Sequence, residues 1–213
     1  MHQIWVGNEP IPKDYKIMQQ SFLKTNKDWK YRFWDDKTID GENLSVSSIY
    51  NQVNNPILKA DIARYEIVYK YGGYYSDMDF LFIKSFNPLT SGSFACTLAP
   101  SKKIDGGEIY NGLFGSEKGH GLLKTVIDSL SKTCGPLNLG TLFNNYGTYF
   151  FTRIISENIN NYDNCNIYDH EMFYPMPAAL RDTTEGGYRG AKRYVFSESY
   201  AIHTWGGAWM KQL

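Results

Sequence analysis

The stretch YKYGGYYSDMDFLFI, residues 69–83, constrains the fold more than any other part of this chain. It leaves a helical pattern through two glycines, passes two tyrosines, and sets Asp77 and Asp79 two positions apart at the edge of an apolar run. Upstream, Leu58, Ile62, Tyr65 and Tyr69 recur at three- and four-residue spacing, the pattern of a helix that packs one face on a sheet. Pro56 suits the first turn of that helix, where its missing N–H is no loss. Gly72 or Gly73 ends it, because glycine enters the left-handed conformation without a steric cost. YYS and FLFI then read as strand pieces on either side of the acidic pair.

The remaining patterns alternate in the same way. HQIWV, residues 2–6, and WKYRFW, residues 29–34, read as strands on either side of a helix over 14–24. SFACTLA and EIYNGLFGS read as strands, and GHGLLKTVIDSLSK as an amphipathic helix with Leu122, Leu123, Val126, Ile127 and Leu130 inward. Residues 141–158 read as a helix weakened by Gly147, and NIYDHEMFYPM returns to a strand. The tail YAIHTWGGAWMKQL reads as a site-forming loop. Such alternation favours α/β layers. With 213 residues, 42% of them hydrophobic, the chain fits one such domain.

Charge excludes some functions. Lysine plus arginine (22) balances aspartate plus glutamate (22), so no global field favours nucleic acid or an anionic membrane. A charged ligand must therefore be met locally. Cys96, Cys134 and Cys165 form an odd, scattered set without a C-x-x-C, which suggests a reducing compartment rather than a disulfide framework or a zinc site. No apolar run approaches the roughly 20 residues of a membrane span, and the N-terminus is not a signal peptide.

Strand alternation puts residues two apart on one side, so Asp77 and Asp79 can face a single cation. Hard carboxylate oxygens suit Mg²⁺ or Mn²⁺, which keep positions open for water and phosphate. The alternative reading is a solvated turn. Asp61 and Arg64, three apart on one helix face, read either as an intrahelical ion pair or as a pair holding sugar hydroxyls by charge-assisted hydrogen bonds.

KADIARYEIVYKYGGYYSDMDF, residues 59–80, resembles the signature of the DXD-containing glycosyltransferases, the family of fungal initiating mannosyltransferases and capsular sugar transferases. It is also similar to the glucosyltransferase domains of large clostridial toxins. HQIWVGNEPIP, WKYRFWDD, YNGLFGSEKGH and AIHTWGGAW fit the same pattern in the same order. The resemblance implies a GT-A fold, a mixed and mainly parallel sheet flanked by helices, spanning 1–213 as a single catalytic domain. It further implies a metal-dependent transferase using Mn²⁺ or Mg²⁺, which moves a hexose or deoxyhexose from a UDP-sugar, by default UDP-glucose, to a glycan or other hydroxyl acceptor with retention.

Residue roles follow from the same resemblance. Trp5 would stack on uracil, with Val6 and Gly7 lining the base pocket. Asp61 and Arg64 would hold the transferred sugar, with Met78 beside them in the donor site. Asp77 would contact ribose, sugar or metal, Asp79 would be the principal metal ligand, and His203 would supply a further ligand or a diphosphate contact. Trp205, Gly206 and Lys211 would wrap the diphosphate through an indole N–H, close backbone approach and an ammonium. Asn111 would lie near the anomeric carbon or the acceptor.

Each role has a plainer counterpart: a core aromatic for Trp5, a packed histidine for His203, an ordinary Asn-Gly turn for Asn111, a solvated terminus for Lys211. For an inverting reaction Asp105, Glu108, Asp169 and Glu185 are equally available as bases. The short first strand and compact length suggest a minimal enzyme or an excised catalytic domain, working in the cytoplasm, or the host cytoplasm if viral. A nucleotide-sugar or glycan binding module without turnover is the alternative that the residues leave open.

Overall fold

The computed structural model describes residues 1–99, 107–132, 144–180 and 187–207. The chain opens with β1 (His2–Ile4), α1 (Lys13–Thr25), β2 (Arg32–Trp34), α2 (Asp36–Asp40) and α3 (Ser47–Tyr50). The central unit is α4 (Pro56–Tyr71), β3 (Gly73–Ser76) and β4 (Phe80–Phe82), followed by β5 (Phe94–Leu98) and β6 (Ile109–Ser116). Then come α5 (Gly121–Ser131), α6 (Thr148–Asn158), β7 (Cys165–Tyr168) and β8 (Ala201–His203).

Six strands form the main sheet in the order β2-β1-β3-β6-β5-β7. β1 runs parallel to β2 and β3, β7 runs parallel to β5, and β6 opposes both of its neighbours. This is the mixed, mainly parallel sheet expected. A separate pair, β4 with β8, is antiparallel and sets Phe80 opposite His203.

Local chemistry explains the central unit. The Asn55 side chain accepts from the N–H groups of Ile57 and Leu58, and Pro56 follows it in the first turn of α4. At the other end Gly72 has φ +67, and a Cβ there would lie 2.8 Å from the Lys118 backbone nitrogen. Only glycine meets both demands. The apolar faces of α4, α5 and α6 pack into one cluster with the sheet, where Ile62, Tyr65, Leu122, Val126, Phe150 and Phe151 are fully buried. Each such side chain contributes about 1.5–3 kcal/mol. A second cluster joins Phe22 of α1 to Phe80, Phe82, Phe86 and Phe173, and it supports the β4–β8 pair.

Four expected elements differ. The first strand ends at Ile4, because Gly7 at φ +91 turns the chain away. The second begins only at Arg32, because Trp29 donates its backbone N–H to Asn26 in a turn and its indole N–H to Asn87. The strand expected over 166–176 stops at Tyr168, and His170–Met172 forms a 3₁₀ turn instead. The helix expected over 141–158 is interrupted: Asn144 and Asn145 are helical, the chain turns at Tyr146 and Gly147, and a new helix runs from Thr148 with Gly147 as its cap residue, while 141–143 lie outside the described residues. Among the described residues, no helix is long and apolar enough to cross a membrane.

Candidate active site

The short segment between β3 and β4 carries the acidic pair and is pinned on both sides. Asp77 donates its backbone N–H to the Gly112 carbonyl of β6 at 2.8 Å. The Asp79 carbonyl accepts from both the N–H and the hydroxyl of Thr204, each at 2.9 Å. With Phe80 opposite His203 in the small sheet, the His203 Nε2 lies 3.1 Å from Asp79 Oδ1. Asp77, Asp79 and His203 each offer a ligand atom within 4.8 Å of the others. Two carboxylates and an imidazole are a donor set that fits a divalent cation.

These side chains border a cavity of about 310 Å³. Residues of α4 line it too: Arg64 Nη2 meets Asp61 Oδ1 at 2.7 Å, and Arg64 Nη1 lies 3.4 Å from Asp77 Oδ1. Arg64 also donates to the Asn111 carbonyl at 2.8 Å, and the Asn111 amide donates to Asp61 at 2.8 Å. The Tyr75 hydroxyl donates to Asp77 Oδ1 at 2.6 Å. One guanidinium thus holds two carboxylates and a strand carbonyl, which joins the α4 wall to the acidic pair.

Burial and neighbours push the three carboxyls apart. Burial raises Asp61 to about 6, against the pull of Arg64. Burial also raises Asp77, with Arg64 opposing it and Asp79 adding repulsion. Burial acts on Asp79 in the same sense, but the charge and hydrogen bond of His203 and the Gly206 N–H together outweigh it, so Asp79 lies below its ordinary value. Asp79 is therefore the carboxylate held ionised most firmly, as a primary cation ligand requires.

The other residues singled out in the sequence distribute as follows. Trp5, Val6, Met78, Asn111 and Trp205 line the cavity together with Asp61, Arg64, Asp77, Asp79 and His203. Gly7 does not: its N–H donates to Asp36 at 2.8 Å, which fastens the loop after β1. The Trp205 indole N–H donates to the Met176 carbonyl at 2.7 Å, so it is engaged with protein rather than turned to a diphosphate. The Gly206 N–H is directed at Asp79 Oδ2, at 3.0 Å. Trp205 itself has φ +55, a left-handed backbone that brings that amide onto the carboxylate. Lys211, Asp105, Glu185 and Cys134 lie outside the described residues.

Sequence reasoning missed Thr148, Gly112, Tyr110 and Tyr174, all of which line the cavity. The Thr148 hydroxyl donates to Asn111 Oδ1 at 3.1 Å and orients that amide. Gly112 carried a usable signal. It follows Asn111 in a strand pattern, and a glycine there marks close approach of other groups.

A mixed sheet that brings an Asp-x-Asp pair and a remote histidine to the rim of one cavity is the plan of a GT-A glycosyltransferase. Residues 12–95 match the family described as the glycosyltransferase sugar-binding region containing the DXD motif. An uncharacterized glycosyltransferase of Acanthamoeba polyphaga mimivirus is 26% identical over 207 residues, covering 94% of this chain and 81% of that protein. Inositol phosphoceramide mannosyltransferase 3 of Schizosaccharomyces pombe is 30% identical over 137 residues, 62% of this chain, and the match spans only 36% of the fungal protein. Among solved structures, the PaToxG glycosyltransferase superposes with a TM-score of 0.58 at 17% identity, over 76% of this chain and 70% of that one. The fold is the GT-A fold, and residues 12–95 match the DXD sugar-binding region within it.

Proposed function

We propose that this chain is a glycosyltransferase that moves a hexose or deoxyhexose from a UDP-sugar, by default UDP-glucose, to a glycan or other hydroxyl acceptor, in the cytoplasm and with a divalent cation. The observation that carries the reading is the convergence of Asp77, Asp79 and His203 at a cavity that Asp61 and Arg64 also line. In this reading Asp79, Asp77 and His203 hold Mn²⁺ or Mg²⁺. Such an ion acts as a Lewis acid toward charge growing on a leaving diphosphate.

The protein's own residues divide the remaining tasks. Trp5, with Val6 beside it, receives the base at the end of β1. Asp61 and Arg64 hold the sugar, and the ionised Asp61 stabilises positive charge at the anomeric carbon. That role asks for a pH above about 6, where Asp61 is deprotonated. Asn111, fixed by Asp61, Tyr65 and Thr148, sits where sugar and acceptor would meet. Retention of anomeric configuration is proposed on the family resemblance. The cytoplasmic assignment is supported by the free thiols Cys96 and Cys165.

The test is UDP release from a panel of UDP-sugars, with mannose donors included because of the fungal relative's name, in Mn²⁺ and in chelator. Wild-type release that needs the cation and falls at least 100-fold in Asp79→Ala is the expected result. Release indifferent to both would sink the metal-centred reading. Tight UDP binding with no release across the panel would favour a binding module.

A further inference from the structure

Among the described residues, four buried side-chain atoms lack a hydrogen-bond partner: the hydroxyls of Tyr50, Thr97 and Tyr174, and Nδ1 of His203. Buried polar groups without partners are rare, and each calls for an explanation. Tyr50 and Thr97 stand away from the cavity, whereas Tyr174 and His203 both line it, with ring centroids 5.4 Å apart. His203 uses its other nitrogen on Asp79. The Tyr174 phenol has no such second use.

Its position is specific. Tyr174 is 2% exposed, and its ring is fixed against Tyr110, Phe80 and His203 at centroid distances of 4.7, 5.3 and 5.4 Å. Its backbone is equally fixed: its N–H donates to the His170 carbonyl, and the preceding residue, Phe173, accepts from the His203 N–H. The hydroxyl faces Gly112. A Cβ on Gly112 would lie 2.7 Å from Asp77 Oδ2 and 3.1 Å from the Tyr174 oxygen. Glycine thus keeps open the one spot where the phenol and the carboxylate approach each other, yet the two form no bond.

We propose that Tyr174 is a further donor-site residue, whose hydroxyl donates a hydrogen bond to a phosphate oxygen of a nucleoside diphosphate drawn in beside Asp77. This rests on the function proposed above. Asp77 and Asp79 can only accept, and a phosphate oxygen also only accepts, so any hydrogen bond that supplements the proposed cation at that oxygen must come from another group of the wall. Arg64 is engaged with Asp61, Asp77 and Asn111. Among the described residues that line the cavity, the Tyr174 phenol is a hydroxyl donor without a partner. A phenol carries its proton at neutral pH and so can donate. A hydrogen bond to an anion is about twice as strong as a neutral one, which suits a fixed, pre-aimed hydroxyl.

Tyr174→Phe keeps the ring and removes only the donor. UDP is the probe, titrated calorimetrically at saturating Mn²⁺, with Mn²⁺ alone as a second titration and thermal unfolding of the ligand-free protein as the control. The expected result is a Kd for UDP raised about tenfold, unchanged affinity for Mn²⁺, and a ligand-free Tm equal to or above that of wild type. Equal UDP affinity would overturn the assignment alone, as would weaker binding accompanied by a lower ligand-free Tm, the mark of a structural hydroxyl. Wild-type protein that binds Mn²⁺ and UDP not at all would overturn the site reading and this assignment together.

Discussion

At the scale of single residues, Arg64 carries more than any other side chain. It is 3% exposed and faces two carboxylates, Asp61 and Asp77, whose folded-state affinity for protons is already raised by burial. Removing one partner of a buried pair leaves an uncompensated charge and typically costs about 3–5 kcal/mol. Arg64→Ala is therefore expected to lose about that much stability at pH 7. The sign of its pH dependence follows from linkage. A carboxyl whose folded pKa lies above its unfolded value binds more protons folded than unfolded, so stability rises as pH falls through the folded pKa toward 3.8. In wild type that window runs from about 6 downward for Asp61. Without the guanidinium both carboxyls shift higher still, so the variant should recover part of its loss by pH 5. Urea unfolding at pH 7 and pH 5 checks this, and an equal or larger deficit at pH 5 would contradict it. The polar character of Asp61 and Arg64 in an apolar helix was legible in the sequence. Tyr174 was not, because nothing local distinguishes a phenol that lacks a partner from the many tyrosines that have one.

At the scale of elements, legibility tracked how local the cause was. α4 was read to its first and last residues because Pro56 and Gly72 act within one turn of their own positions. β4 with β8 could not be paired in advance, since Phe80 and His203 meet across more than a hundred residues and no local pattern sets that register. The two glycines after α4 also differ in a way that only packing reveals. A Cβ on Gly72 would press on the Lys118 backbone at 2.8 Å, whereas on Gly73 the nearest atom is the His2 ring at 3.8 Å. Both carry positive φ, +67 and +92, so alanine is strained at either. Gly72→Ala adds a clash with backbone that cannot rotate away, and overpacking of that kind costs about 1–3 kcal/mol beyond the strain. The expected order of denaturation midpoints is wild type, then Gly73→Ala, then Gly72→Ala. A reversed order of the two variants would mean that the turn, not the contact with residues 117–118, limits this junction.

At the scale of the whole molecule, the site gathers side chains from separate elements of the fold. Asp79 follows the β3 end of the main sheet, His203 belongs to the small sheet, and Trp5 stands just beyond β1 and lines the same cavity. A ligand that engages all three binds only the folded arrangement, because the unfolded chain separates them. Ligand binding of this kind stabilises by mass action, about 2.7 kcal/mol at one hundred times Kd. For a chain of this size each kcal/mol moves Tm by about 2–4 °C, so Mn²⁺ with UDP at that excess should raise Tm by about 5–10 °C. Asp79→Ala should show almost none of this shift, since it removes the carboxylate most firmly held ionised. Differential scanning calorimetry across a UDP series at fixed Mn²⁺ gives the answer directly. A shift that survives in Asp79→Ala would place the nucleotide without the cation, through Trp5 and its neighbours, and would detach binding from the metal site. A shift lost in chelator but kept in His203→Phe would confine the site to the main sheet and leave β8 a structural brace.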